Sequence, residues 1–156
     1  MQSVIMFAED VLRIPVSEGH YDDGVALYRS LTQESRLYLI SGLFTEANMD
    51  RWLFQRGLRG HIGYEYVRGT EFIDYLGGVK RFRGSSTPAF IVDANLSRAA
   101  RFLRFGYPML CLARPHYTDP RWRPDHTPNP QPWDELREEL ERQEELRYTD
   151  ERLREI

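Results

Sequence analysis

The sequence is short of thiols, of lysine and of long apolar runs. Its one cysteine, Cys111, cannot close an internal disulfide, and its place in the apolar run 107–113 predicts a buried, unreactive thiol, which leaves redox chemistry out. Lys80 is the only lysine, so positive charge is carried almost wholly by arginine. No run approaches the roughly 18 apolar residues that a bilayer crossing needs. The first residues also lack the basic, apolar, small-residue order of a secretory signal. Both absences predict a cytoplasmic chain with no membrane partner. A net charge of -3 withholds the general attraction that draws a protein to nucleic acid, although a local arginine patch is compatible with it. What is present is 156 residues with 41% hydrophobic and 13% aromatic content, enough for one buried core.

Apolar runs alternate with helical patterns along most of the chain. Residues 4–8 (VIMFA) and 37–41 (LYLIS) are continuous apolar runs too short for helices, as expected of strands covered on both faces. Residues 61–67 alternate enough for a third, less buried strand, and 88–93 (PAFIVD) and 107–113 supply a fourth and fifth. Between them, Val25, Tyr28 and Leu31 keep helical spacing behind Asp22 and Asp23 as an acidic cap. Met49, Trp52 and Leu53 do so behind Thr45, and Leu96, Ala99, Ala100 and Leu103 do so before Gly106. Residues 70–76 read as a short helix closed by Gly77 and Gly78. This order predicts an α/β fold: a single, doubly wound, Rossmann-like parallel sheet of about five strands with helices on both faces.

From residue 116 to 132 proline is too dense for a helix or a central strand, so an extended arm is expected, held to the domain by Tyr117, Trp122 and Trp133. Residues 133–156 predict a charged C-terminal helix with Leu136, Leu140 and Leu146 on one side and pairs such as Glu138 with Arg142. The expected division is therefore a core over 1–115, an arm over 116–132 and a helix over 133–156.

Ligands of such sheets sit beyond the carboxyl ends of the strands. The residues expected there are Ala8, Glu9 and Asp10 after the first strand, Ser41 and Gly42 after the second, and Asp93, Ala94 and Asn95 after the fourth, with Lys80 in the loop before the fourth. Carboxylates hold magnesium, and serine and lysine hold phosphate oxygens. Asp93 has a second reading as a cap on the helix that follows it, Asp10 as a turn residue, Ser41 as a strand-end hydroxyl and Lys80 as a solvated lysine. Other motifs fail: the lysine of GGVKRFRGSS does not directly follow the last glycine as a phosphate loop requires, GLRGHIG leads into a strand, and His20, His61, His116 and His126 lack metal-ligand spacing.

On these residues the chain resembles the haloacid-dehalogenase-like (HAD) phosphohydrolases over about 1–115. The resemblance places Ser41 of YLISG on the family's second motif, Lys80 on the third and Asp93 of IVDAN on the fourth, the metal-holding acid. The first motif departs. The family's aspartate nucleophile falls on Ala8, with Asp10 in the acid/base place, or on Phe7, with Glu9 there, and Ala94 stands where a second acid often sits. Alanine and phenylalanine can neither attack phosphorus nor ligate a metal.

The resemblance therefore implies a degenerate, hydrolytically silent member acting as a binding or regulatory protein. The absence of a large cap domain, the terse loops and the arm also look like proteins carried by phages of actinobacteria, which would place it in the host cytoplasm. One alternative is a magnesium-dependent phosphatase or nucleotidase in a non-standard register. It would use Asp10, Ser41, Lys80 and Asp93, with Asp10 and Asp93 on the metal if the ancestral site survives. Another alternative is an interaction module, joining a protein partner or a second copy through the arm and last helix.

Overall fold

Strand and helix alternate along the chain to build one parallel sheet, whose central apolar runs are shielded on both faces by the connecting helices. The computed structural model describes residues 1–82, 87–115, 119–126 and 132–154. In chain order it contains β1 (Ser3–Phe7), a helical turn α1 (Ala8–Val11), α2 (Asp22–Glu34), β2 (Arg36–Ser41), α3 (Glu46–Gln55) and β3 (Gly63–Tyr66). Then follow α4 (Phe72–Arg81), β4 (Phe90–Asp93), α5 (Leu96–Arg104), β5 (Met109–Cys111), a 3-10 turn (Pro120–Trp122), α6 (Trp133–Thr149) and α7 (Glu151–Arg154).

The strands lie in the order β3-β2-β1-β4-β5, all parallel, with Met6 of β1 between Leu39 of β2 and Val92 of β4. Alternate residues of β1 serve two cores. Val4 and Met6 pack with Leu37, Leu39 and the inner faces of α2 (Val25, Tyr28) and α3 (Met49, Trp52, Leu53). Ile5 and Phe7 pack with Ile40, Ile91 and the inner faces of α4 (Tyr75, Leu76, Val79) and α5 (Phe102). The chain thus winds outward from β1 on one face and returns over the other to β4. The strand order reverses between β1 and β4, which is where such sheets form a cleft.

Several local expectations are corrected. Gly77 and Gly78 do not close the fourth helix, since α4 runs through both to Arg81. A Cβ on Gly78 would stand 2.5 Å from Val67 Cγ1, so this glycine lets the helix approach the sheet instead of ending it. Lys80 accordingly lies in the last turn of α4, not in a loop. α2 has Tyr21 at its cap position, and Asp22 and Asp23 sit in its first turn.

On α6, Arg142 pairs with Glu139 at 2.8 Å and not with Glu138, because Glu139 is the residue of that helix buried against α5. There it also accepts from Arg104 Nε at 2.9 Å. The aromatic handles of the arm do not seat on the domain as expected: Trp122 is 69% exposed and Trp133 51%. Tyr117 and His116 lie outside the described residues. Thr45 does cap α3, its Oγ1 accepting from Asn48 N at 3.3 Å. No helix among the described residues is long and apolar enough to cross a membrane.

Candidate functional site

The turn after β1 decides which side chains reach the strand tips. Glu9 has extended backbone (φ -70°, ψ 145°) and Asp10 the left-handed conformation (φ 68°), which aspartate tolerates better than most residues. Between them the chain reverses its facing. Glu9 turns inward, 3% exposed, and one carboxylate oxygen accepts from Gly42 N at 2.8 Å. Asp10 instead lines a cleft of about 580 Å³ with Tyr21, Ala94, Leu96, Ser97 and Arg114.

Inside the sheet's carboxyl edge the expected site is filled by the chain itself. Asp93 is wholly buried, and Arg98 clasps it through two bonds, Nε to Oδ2 at 2.8 Å and Nη2 to Oδ1 at 2.7 Å. Asn95 N donates to the same Oδ1 at 3.0 Å. Arg98 is itself 8% exposed, with its guanidinium 4.1 Å from the Tyr75 ring centre and 5.0 Å from that of Phe7. Burial works against the Arg98 charge, but the bonds to Asp93 outweigh it and hold the guanidinium's pKa above its ordinary value. A pair of this geometry is a satisfied internal unit, since both carboxylate oxygens already accept charge-assisted bonds.

Asp93 therefore does not cap α5. That place belongs to Asn95, whose Oδ1 accepts from Arg98 N at 3.0 Å. The segment Asp93, Asn95, Arg98 forms one local device: the acid anchors the loop, the amide caps the helix, and the helix's first turn returns an arginine onto the acid.

Ser41 is also wholly buried, and its Oγ accepts from Leu43 N at 3.2 Å and Phe44 N at 3.1 Å, a turn closed by its own hydroxyl. The same hydroxyl lies against Glu9 and Tyr64. Gly42 beside it admits no side chain, because a Cβ there would stand 1.8 Å from Gly69 O. Burial raises the Glu9 carboxyl above its ordinary 4.5, against the lowering effects of Ser41, Gly42 N–H and Arg98. Its Oε2 and the Tyr75 hydroxyl are buried and lack hydrogen-bond partners among the described residues.

Lys80 is not part of this assembly. It sits exposed in the last turn of α4. Of the residues singled out from sequence, the structure gathers Glu9, Ser41, Gly42 and Asp93 around one buried centre and sends Asp10 to the cleft outside it.

That donor set does not fit magnesium. The ion takes six oxygens at about 2.1 Å and keeps several waters. Asp93 has given both oxygens to nitrogen donors and has no solvent-facing edge, and no group of three or more His, Cys, Asp or Glu side chains placed to hold a metal occurs among the described residues.

Sequence reasoning missed two residues. Arg98 carries the signal of an i, i+5 acid and arginine flanking a cap, and Arg114 follows the last strand. Arg114 donates from Nε to Asp23 Oδ2 at 2.7 Å and from Nη2 to Asp23 Oδ1 at 2.8 Å and Val11 O at 3.0 Å; it also donates to Asp10 O. Its guanidinium lies 3.9 Å from the Tyr21 ring centre. It thereby ties the end of the sheet to α1 and α2 and forms one wall of the cleft. No family model, curated protein or solved structure matches this chain.

Proposed function

We propose that this protein is a HAD-like scaffold without phosphohydrolase chemistry that works by binding, with the cleft between the turn at Asp10 and the start of α5 as its ligand site. One observation carries the reading. The acid that the resemblance assigns to the metal, Asp93, is buried and neutralised by Arg98. Ala8, at the end of β1 where the nucleophile would stand, is buried and offers no oxygen. An aspartyl-phosphate route needs a carboxylate in line with phosphorus and a cation on the transferred oxygens. The centre has an internal ion pair in place of the second and a methyl group in place of the first.

The cleft supports the binding half of the reading. It lies at the reversal of strand order, it is large enough for a small organic molecule, and its lining mixes the Asp10 carboxylate and the Ser97 hydroxyl with Ala94, Leu96, Ala113, Pro115 and Pro132.

The test is turnover of p-nitrophenyl phosphate and nucleoside monophosphates in millimolar magnesium by the full chain. The expected rate equals the buffer blank and is the same for Asp10→Asn. A second reading is favoured by one fact, that Asp10 itself faces the cleft: Asp10 would act as a base in a phosphatase of non-standard register. Magnesium-dependent turnover lost in Asp10→Asn would establish that reading and remove the first.

A further inference from the structure

The chain is acidic overall, yet residues 51–61 (RWLFQRGLRGH) hold three arginines and no acid. They form the end of α3 and the loop after it. Arg51 and Arg59 are exposed and Arg56 half-buried, and none of the three makes an ion pair among the described residues. Phe54 stands out between them, 63% exposed, with the Arg59 guanidinium 4.1 Å from its ring centre, and Ile62 at the end of the loop is 55% exposed. Asp50, one residue before the segment, is the nearest acid on α3.

The opposite pattern lies on α6. Its sequence WDELREELERQEELRYT has seven acids against three arginines. Glu138, Glu144 and Glu145 are exposed and have no ion-pair partner among the described residues, while Leu140 is 51% and Leu146 58% exposed beside them. Each surface offers apolar groups rimmed by uncompensated charge, the composition of a docking contact, and the two signs match.

The two surfaces cannot meet within one chain. α3 covers the face of the sheet bearing Val4 and Met6, whereas α6 packs on α5, which covers the face bearing Ile5 and Phe7. We infer that α6 of one copy docks on the arginine and Phe54 surface of α3 in a second copy, a head-to-tail contact between unlike patches.

Sedimentation velocity of the full chain over a range of concentrations tests this. The weight-average mass is expected to rise above the monomer with concentration in low salt and to fall back in about 0.5 M salt, where the Debye length shrinks to roughly 4 Å. Arg51→Glu with Arg59→Glu is expected to be monomeric, and so is Glu138→Arg with Glu144→Arg and Glu145→Arg. An equimolar mixture of the two variants should associate again, because each acidic surface then finds a basic one. All substituted side chains are exposed, and an unchanged thermal transition confirms that each variant is folded. A wild-type chain that stays monomeric at every concentration overturns the inference. So does association of either variant alone, or a mixture that remains monomeric.

Discussion

Replacing Arg98 by alanine leaves the Asp93 carboxylate buried with only the Asn95 amide to answer it. The loss of a partner from a buried pair costs about 3–5 kcal/mol, far more than the net contribution of the intact pair, because the remaining charge keeps its full desolvation penalty. Arg98→Ala should therefore lower the unfolding free energy measured by urea titration by that amount, and Arg98→Met with Asp93→Asn should recover most of it. Full destabilisation in the double variant would show that packing against Tyr75 and Phe7, and not charge, is what the arginine supplies.

Glu9 makes a separate prediction in pH. Its folded carboxyl is raised above the ordinary 4.5 by burial, so the folded state holds a proton that the unfolded state releases more readily. The stability it contributes is present below pH about 4.5 and is lost as pH rises through the folded value. Glu9→Gln keeps an acceptor for Gly42 N–H and removes the titration. Its unfolding free energy should lack the decline above pH 4.5 that the parent shows, and a decline of the same size in both proteins would assign it to another group.

At the scale of elements, the paired glycines of α4 separate two uses of one residue type. A methyl on Gly78 meets Val67 at 2.5 Å, whereas one on Gly77 meets only the flexible end of Arg81 at 3.3 Å. Gly78→Ala is expected to cost about 1–2 kcal/mol by forcing helix from sheet, and Gly77→Ala to gain about 0.5–1 kcal/mol from helix propensity. If the two marked a helix end, both substitutions would destabilise. The junction of α5 and α6 rests on Glu139. Burial opposes its charge, but Arg142, Arg104 and Gln143 together bring its pKa down to about 2. A carboxyl depressed in this way contributes stability above the ordinary 4.5 and loses it as pH falls towards 2. Acid-induced release of α6, followed by proteolysis after residue 132, should begin in that window and should occur at neutral pH in Glu139→Ala.

Strand runs such as VIMFA and LYLIS were legible because two-sided burial leaves no polar alternation, and Thr45 was legible as a cap because its side chain has one local partner. GG within α4 and Asp93 before α5 were misread because what settles each lies elsewhere: Val67 just past the end of β3, and Arg98 in the first turn of α5. The inward turn of Glu9 follows from the left-handed backbone at Asp10, which no residue spacing encodes.

For the molecule as a whole, the sheet places its strand tips where such folds bind ligands, and then closes the innermost part with its own groups. Glu9 is tied to Gly42, Ser41 to Leu43 and Phe44, and Asp93 to Arg98. The outer cleft with Asp10 and Arg114 remains open to a ligand. The account predicts a scaffold that can bind there without forming a bond to phosphorus. The most direct measurement is the intact mass of the full chain after incubation with magnesium and a small phosphoryl donor such as acetyl phosphate, quenched in acid. An unchanged mass is the predicted result, and a population heavier by one phosphoryl group, absent from Asp10→Asn, would contradict it.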